Sequence, residues 1–315
     1  MTEVATVAMA SPVRVVIGGA LPAGDRAAPA CDAALEVFRD VEAQCSRFDQ
    51  ASDLSLVNRA PHRWHHVGRY CYAAIDEAWS AYRWTNGVFD PRVLADLVAL
   101  GYDRWPPRHG PGSTEDPAPG AEGPVVARGR WHPRFVRLVH AVHVGAAGVD
   151  LGGIAKGLAV RWASCALART LGRSDHLIDA GGDCYCAGSA PGGGRWRIGL
   201  EDPLGGDVPL AVLALCDQAC TTSSVQRRHW VSAGHAVHHL IDPSTSRPGG
   251  DGLLAVTVIG ADPAIAEVWS KVLFLQGAAG IDRAAERHGV ACCWVTDDGA
   301  LHVNGRAQAH VVWRR

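Results

Sequence analysis

The chain has 315 residues, 48% of them hydrophobic, so it can bury a substantial core in one large domain or two associated lobes. Its 30 Lys and Arg nearly balance 32 Asp and Glu, and the formal net charge of -2 argues against a nucleic-acid binder. No apolar run approaches the roughly 20 residues that span a bilayer, and the N-terminus lacks the pattern of a signal peptide. We therefore expect a cytoplasmic protein without stable membrane insertion.

The first half of the chain contains helix-like and strand-like segments. A strand is predicted over 13–17, and apolar residues at helical spacing predict helices over 32–45 and 69–84. Asn86-Gly87 has the residue types that end a helix in the left-handed conformation. Residues 106–130 are rich in Pro and Gly, which predicts a flexible surface excursion within one domain spanning 1–315. Strand-like alternation resumes over 135–139.

Strands dominate the second half. A helix is predicted to follow Asp150 and to stop at Gly172. Asp262-Pro263 is a typical helix start, and the stripe buried by that helix is predicted to comprise Ile265, Val268, Trp269, Val272 and Leu273. The remaining predictions are a helix over 281–288 and strands over 176–178, 196–200, 210–215, 254–259, 291–295 and 301–303. Helices and strands mix without regular βαβ alternation, which favours the α+β class.

The ten cysteines form no zinc-type CxxC pair. Cys31, Cys45, Cys71 and Cys165 occur in helix-like segments as small apolar residues. Cys184 and Cys186 would share one face of a strand, where a redox or metal role is conceivable but buried thiols are the favoured interpretation.

The segment GGIAKG, at 152–157, has two interpretations. Asp150 can cap a helix whose first turn contains Gly152 and Gly153, leaving backbone N–H groups for an anion. Lys156 in that first turn is disfavoured by the helix dipole unless a negative group lies nearby. The alternative is a capped helix packed tightly on a sheet.

An ordered series of segments covers nearly the whole chain. It resembles the FAD:protein FMN transferase family, the ApbE-type flavin transferases. The most specific segments are DLGGIAKG and H-x-x-DP-x-T. The full series is Met9-Ala10-Ser11, 46–60, 87–104, 149–159, 179–188, 221–228, 238–248 and 266–277.

The resemblance implies an α+β, T-fold-like, two-lobed single domain with a flavin-nucleotide cleft between its lobes. It implies FAD and Mg²⁺ as ligands, and transfer of FMN to a Ser or Thr hydroxyl of an acceptor flavoprotein with release of AMP. Carried over by resemblance, the nucleotide-binding positions are Met9, Phe48, Val88, Phe89, Asp90, Asp150, Lys156, Gly181, Gly182, Asp183, Ser223, Ile241 and Asp242. His239 and Lys156 are the catalytic candidates.

The chemistry explains these residue types. Pyrophosphate cleavage needs positive charge or backbone donors at the non-bridging oxygens, which Lys156 could supply. The acceptor hydroxyl must lose a proton, and an imidazole with a pKa near 6.5 suits that step. Among 15 histidines most are structural, and the place of His239 in the HHLIDP segment is what distinguishes it. His238 would point to the opposite face of a strand.

The magnesium segment departs from the family pattern. The resemblance places metal ligands at Gly153, Glu267 and Ser270, but Lys271 occupies the usual Thr position. Glu267, Ser270 and Lys271 would share a helix face opposite the apolar stripe. Two hypotheses stay open: the Lys271 ammonium partly replaces the metal, or Glu267 and Lys271 form an exposed i,i+4 ion pair worth roughly 0.2–0.5 kcal/mol.

Two serines replace family glycines. Ser224 stands in the T-S-G segment and Ser246 in the P-x-T-G segment, and such changes matter where the backbone needs φ > 0 or a ligand approaches it closely. Together with Lys271 they favour an FAD-binding module that has lost transfer chemistry. His239, Asp150 and Lys156 favour a transferase. A third hypothesis is an FAD hydrolase, or a transferase with another acceptor.

Overall fold

The computed structural model describes residues 2–18, 26–104, 128–172, 175–232 and 234–315. The chain forms two compact units, each built from separate stretches of sequence. The first unit comprises Met1–Asp40, Ile154–Ser224 and Gly252–Arg315, and the second comprises Val41–Gly153 and Val225–Asp251. Most of the excursion predicted over 106–130 lies outside the described residues, which resume at Arg128.

The α-helices are α1 Ala27–Cys45, α2 Asp53–Arg59, α3 Arg69–Trp84, α4 Leu94–Ala99, α5 Ala155–Leu171, α6 Pro263–Phe274 and α7 Gly277–His288. Short 3₁₀ turns occur at Pro91–Val93, Arg137–Val139 and Gln308–His310. The strands are β1 Thr2–Ala8, β2 Ser11–Ile17, β3 His65–His66, β4 Arg134–Val136, β5 Ala141–His143, β6 His176–Ala180, β7 Asp183–Ala187, β8 Trp196–Leu200, β9 Ala211–Leu215, β10 Gln218–Ser224, β11 His229–Ser232, β12 His235–His238, β13 Ile241–Asp242, β14 Arg247–Pro248, β15 Leu253–Gly260, β16 Ala291–Thr296, β17 Leu301–Val303 and β18 Val311–Arg314.

An antiparallel sheet of eight strands organises the first unit. Its order is β1-β2-β6-β7-β10-β15-β16-β17, and a three-stranded sheet of order β18-β9-β8 accompanies it. A core of apolar side chains and thiols joins these sheets, and includes Cys184, Cys220, Cys293, Trp196 and Leu213. Helix α6 packs against β10, β15 and α5.

Strand alternation sorts the side chains of β7 and β10 onto two faces. Cys184 and Cys220 are register partners and belong to the apolar core. Asp183 and Ser223, each an odd number of residues from these thiols, therefore point to the opposite face, where they contact α5 and α6. The prediction that Cys184 and Cys186 are buried, free thiols is confirmed.

The second unit contains helices α2, α3 and α4 with small sheets. Strands β3, β5 and β4 form one sheet, and β11-β12 and β13-β14 are two further antiparallel pairs. An aromatic and aliphatic cluster lies among them, formed by Leu97, Tyr102, Trp230, Val237 and Ile241, with Phe48 packed against it.

The predicted α+β class is confirmed. The helix predicted over 69–84 has the observed bounds, and Asn86 and Gly87 take positive φ of 53° and 82° just beyond it. Strand β1 was missed. The strand predicted over 135–139 ends at Val136, after which Arg137–Val139 turns as a 3₁₀ segment.

One burial prediction is wrong. Ile265 is 46% exposed, because it projects from the outer side of α6, whereas Glu267 and Ser270 take the inner side. Cys165, expected among small apolar residues of a helix, is exposed on α5. None of the helices in the described part of the chain is both long and apolar enough to cross a membrane.

The two serines that replace family glycines differ in backbone conformation. Ser246 has φ 57°, in the left-handed region, in the turn between β13 and β14, where its N–H donates to the Asp242 carbonyl at 2.8 Å. Ser224 lies at the end of β10 and pairs with Ala255, without positive φ. The requirement of positive φ therefore applies to Ser246 and not to Ser224.

We expect Ser246→Gly to stabilise the chain by about 1 kcal/mol, since glycine takes left-handed φ without a Cβ penalty. Ser224→Gly is the matched control and should destabilise by about 0.5–1 kcal/mol, because glycine weakens a strand. Urea unfolding measures both. Equal changes of the same sign in the two variants would contradict this account.

Candidate functional site

The turns at one end of the large sheet bring several predicted positions together. Gly181 and Gly182 form the two-residue turn between β6 and β7, with φ of 66° and 96°, as that turn type requires. Gly181 N–H donates to the Pro12 carbonyl at 2.9 Å, at the start of β2. Met9 has φ 53° in the turn between β1 and β2, at the same end. The structure thus places Met9 and the glycine pair on neighbouring turns.

The start of α5 differs from the prediction. The helix begins at Ala155 after Ile154, and no side chain caps it. Asp150 Oδ1 instead accepts from the Gly152 N–H at 2.8 Å within the preceding turn. The expectation that Asp150 caps α5, with Gly152 and Gly153 in its first turn, is wrong because this tight turn intervenes. Lys156 does lie in the first helical turn.

Lys156 has the negative neighbour that its position in the helix dipole requires. Its Nζ contacts Asp183 Oδ2 in a salt bridge and lies 3.9 Å from Glu267 Oε1. Asp183 is buried, and its Oδ1 accepts from the Thr222 N–H at 3.0 Å. A carboxylate bonded in this way compensates the unfavourable interaction of a cation with a helix N-terminus.

Glu267 is a fully buried carboxylate with cations on two helices. Its Oε2 accepts from the Gly157 N–H at 2.7 Å, and its Oε1 lies 3.2 Å from Lys271 Nζ. Burial alone would raise the pKa of Glu267, but the charges of Lys271 and Lys156 hold it below its usual value. The predicted Glu267–Lys271 pair exists but is not exposed: Glu267 has no exposed surface and Lys271 is 16% exposed.

Ser223 and Ser270 are buried and bond to each other, and Ser270 also bonds to the backbone of Glu267. Their hydroxyl oxygens are 2.7 Å apart, and Ser270 Oγ donates to the Glu267 carbonyl at 2.8 Å. Both side chains therefore link β10 to α6. We name the group of Lys156, Asp183, Glu267 and Lys271 the lysine–carboxylate cluster.

Gly157 was not singled out from the sequence, yet it sets the contact between α5 and α6. A Cβ at this position would lie 2.5 Å from the Pro263 carbonyl oxygen and 2.7 Å from Ala264 Cα. This close backbone approach lets the Gly157 N–H reach Glu267. Its place in the GGIAKG segment was the available signal.

In the second unit, Asp150 pairs with a residue that sequence reasoning also missed. Arg47 Nε lies 2.5 Å from Asp150 Oδ2, and its Nη1 donates to the Tyr102 carbonyl at 2.7 Å. The guanidinium lies 4.1 Å from the Phe48 ring centroid and 4.6 Å from that of Tyr102. Arg47 immediately precedes Phe48 in the SRFD segment, which was the clue to its importance.

The GVFD segment is held in place by the carboxylate of Asp90. Asp90 is buried and accepts from Arg92 Nε at 3.0 Å and Nη2 at 2.7 Å, a bidentate pair. Phe89 is buried and Val88 half-buried. Asp90 therefore fixes the backbone of this segment, since it also accepts from the Arg92 N–H at 2.9 Å.

The two adjacent histidines have distinct surroundings. His238 ends β12, and burial lowers its pKa to about 4. His239 follows the strand, and its Nδ1 lies 3.3 Å from the Arg228 carbonyl oxygen. Because a carbonyl can only accept, Nδ1 carries the proton, and the lone pair of the neutral ring is on Nε2. Downstream, Ile241 is buried, and Asp242 Oδ1 accepts from the Ser244 N–H and Oγ at 2.8 and 2.7 Å.

The predicted positions therefore divide between the units. The first unit contains Met9, Lys156, Gly181, Gly182, Asp183, Ser223, Glu267, Ser270 and Lys271. The second unit contains Phe48, Val88, Phe89, Asp90, Asp150, Gly153, His239, Ile241 and Asp242. The described contacts join Lys156, Asp183, Glu267, Lys271, Ser223 and Ser270 in one group.

The donor set of Glu267 does not fit the implied Mg²⁺. That ion prefers octahedral oxygen ligands. Both Glu267 oxygens are instead engaged by N–H donors, and an ammonium stands against one of them. Over the described ranges, no group of three or more His, Cys, Asp or Glu side chains is arranged to hold a metal ion. Lys156 and Lys271 instead provide the cations that face Asp183 and Glu267.

A sequence model described as the ApbE family matches residues 8–294. The chain belongs to the ApbE family. The ApbE protein of Thermotoga maritima, a crystal structure, superposes with a TM-score of 0.84 at 26% identity, over 98% of both chains. The apo flavinyl transferase ApbE of Pseudomonas stutzeri has a TM-score of 0.77 at 21% identity, over 98% of this chain and 97% of that one. The expected ApbE-like fold is thereby confirmed.

Curated relatives match shorter stretches. The FAD:protein FMN transferase of Rhodobacter capsulatus is 31% identical over 164 residues, 52% of this chain and 31% of that protein. The protein of the same name from Escherichia coli K12 is 31% identical over 157 residues, 48% of this chain and 43% of that protein. This chain therefore aligns with less than half the length of these two relatives.

We expect Gly157→Ala to destabilise the chain by about 1–3 kcal/mol, because the new methyl group meets backbone atoms of α6. Gly305→Ala is the control, since a Cβ there meets nothing within 4 Å, and it should change stability by less than about 0.5 kcal/mol. Thermal and urea unfolding report the difference. A Gly157→Ala variant as stable as the control would refute the close approach.

His238 predicts a pH dependence of stability. Its pKa is depressed in the folded chain, to about 4 from 6.5, so the unfolded chain binds the extra proton between these values. Stability should therefore fall as pH drops from about 6.5 to 4, by up to about 3 kcal/mol from this group. Urea midpoints at several pH values for the chain and for His238→Gln measure the contribution. If the urea midpoints of the two proteins change with pH in parallel, His238 makes no such contribution.

Proposed function

We propose that this ApbE-family chain binds FAD, cleaves its pyrophosphate and transfers FMN to a Ser or Thr hydroxyl of an acceptor flavoprotein, releasing AMP. The names of the curated relatives, FAD:protein FMN transferase, support this proposal. We also propose that residues 1–315 act as one flavin transferase domain, because the family match extends over segments of both units.

The lysine–carboxylate cluster is the observation that carries the proposal. The Lys156 ammonium contacts Asp183, the residue that follows the Gly181–Gly182 turn, and the Lys271 ammonium contacts Glu267. Phosphoryl transfer depends on placing positive charge and N–H donors against the phosphate oxygens. Lys156, in the first turn of α5, is the residue we assign to the pyrophosphate.

The reaction balances as a single displacement. The acceptor hydroxyl oxygen attacks the phosphorus of the FMN half, and the bond from that phosphorus to the bridging oxygen breaks. AMP leaves with the bridging oxygen, and the hydroxyl proton passes to a base. FMN becomes a phosphodiester on the acceptor side chain, and no oxidant or reductant is consumed.

We assign the base to His239. The Nδ1 proton directed at the Arg228 carbonyl leaves the basic lone pair on Nε2, as a general base requires. This arrangement, together with the HHLIDP segment, supports the assignment. His238 is unsuited to the role at neutral pH, since its lowered pKa of about 4 makes the ring a weak base.

The remaining second-unit positions are proposed to bind the flavin or adenine. Phe48 offers an aromatic face, and the Arg47–Asp150 pair holds the adjoining backbone. We assign Val88, Phe89 and Ile241 to apolar contacts with the rings. Asp90 and Asp242 act mainly by fixing their own turns.

Incubation with FAD and candidate acceptor flavoproteins tests the proposal. We expect a mass gain equal to FMN on a Ser or Thr of the acceptor, with one AMP per adduct. AMP without an adduct would indicate a hydrolase instead. Bound, unchanged FAD would indicate a binding module without transfer chemistry.

We expect His239→Ala to lower the transfer rate by about 10²–10⁴-fold while FAD still binds, because the base is lost and not the nucleotide contacts. His235→Ala on the exposed start of β12 is the matched control and should retain the rate. AMP release and acceptor mass are the measurements. Transfer at the normal rate by His239→Ala would remove His239 from the mechanism.

A further inference from the structure

Lysine is almost absent from this chain. Of the 30 basic Lys and Arg residues, lysine occurs at only two positions, 156 and 271, and the remainder are arginine. The two lysines lie on different helices, α5 and α6, and far apart in sequence. Even so, both ammonium groups are directed at one oxygen, Glu267 Oε1, at 3.9 and 3.2 Å.

Because both lysines of the chain approach the same carboxylate oxygen, we infer that this place requires an ammonium and not a guanidinium. A lysine ammonium is a compact point charge, whereas the arginine guanidinium is planar and wide. A compact cation next to a carboxylate resembles a metal ion in size and charge distribution more closely than a guanidinium does. The chain therefore uses lysine at the positions where a small cation is needed.

A divalent ion would be disfavoured at this carboxylate. It would have to displace the Lys271 ammonium from Oε1, and the Gly157 N–H holds the other oxygen, Oε2. Both lysine charges would then repel it within a buried region, where screening by water is weak. Lys156 and Lys271 already balance the two negative charges of Asp183 and Glu267, so these carboxylates need no metal ion for neutrality.

We propose that the chain binds FAD without a divalent cation, with the Lys156 and Lys271 ammonium groups supplying the positive charge beside the pyrophosphate. This inference rests on the proposed function. Glu267 and Asp183 hold the two ammonium groups in place, and Ser270 fixes the α6 backbone at Glu267 through its bond to the Glu267 carbonyl.

The scarcity of lysine permits a direct test that does not depend on activity. Protein labelled with ¹³C at lysine Cε has two side-chain signals, which single Lys→Arg variants assign. We expect FAD to shift both signals in a buffer containing EDTA. In EDTA-free buffer, MnCl₂ at stoichiometric concentration should leave both signals of the apoprotein sharp, because no paramagnetic ion binds at Glu267.

Each outcome bears on a separate claim. Broadening of both signals by Mn²⁺, with FAD shifts that appear only when Mg²⁺ is present, would overturn the metal-free site and leave the transferase proposal standing. If FAD shifts neither signal, with or without Mg²⁺, both the metal-free site and the transferase proposal are overturned, since no nucleotide then lies at these lysines.

A substitution provides the complementary test. Lys271→Thr replaces the ammonium by an oxygen ligand, so FAD affinity in EDTA should fall at least tenfold and recover on addition of Mg²⁺. Mn²⁺ should then broaden the remaining Lys156 signal. Lys271→Met removes the charge without providing an oxygen and should lose affinity with no rescue. If Lys271→Thr does not fold, the signals of the labelled wild-type chain still decide the question. Recovery of FAD affinity by Lys271→Met on addition of Mg²⁺ would contradict the proposal.

Discussion

The first unit depends on keeping one carboxylate ionised inside its helix layer. Glu267 has no exposed surface, and a carboxylate so placed is tolerated only when cations and N–H donors replace its hydration. Lys271, Lys156 and the Gly157 N–H provide that replacement from two helices. Removing one partner of such a group typically costs about 3–5 kcal/mol. The contacts of Lys156 and Gly157 with Glu267 also hold α5 to α6.

The antiparallel sheet provides polar side chains that contact helices α5 and α6. Because strands alternate their side chains, β7 and β10 can bury thiols on one face and present Asp183 and Ser223 on the other. The left-handed Gly181–Gly182 turn places Asp183 at the first residue of its strand. One short segment, DAGGDCYC, thus contributes to both the apolar core and the charged site.

Much of this arrangement could be predicted from the sequence. Helical spacing gave the bounds of α3, and the Asp262-Pro263 signal gave the start of α6, where Asp262 accepts from the N–H groups of Ala264 and Ile265. Local signals of this kind act within a few residues and are therefore visible in one chain.

The failures concern contacts between distant residues. The Asp150 carboxylate seemed placed to cap a helix, but its strongest partner is Arg47, far earlier in the chain. Likewise, an exposed Glu267–Lys271 pair was one of two hypotheses for α6, whereas β10 and α5 supply partners for the buried Ser270 and Glu267. Periodicity cannot distinguish a solvated polar face from one satisfied by tertiary contacts.

The missing Cβ of Gly157 has an evolutionary consequence. Since the α5–α6 spacing is set by backbone contact, residues on α6 can be exchanged without moving the helices relative to each other. A family member can then alter the chemical nature of its cation by one substitution at position 271 while the geometry around Glu267 is inherited unchanged. Gly157 is the fixed spacer that makes such an exchange possible, because any Cβ there would meet backbone atoms of α6.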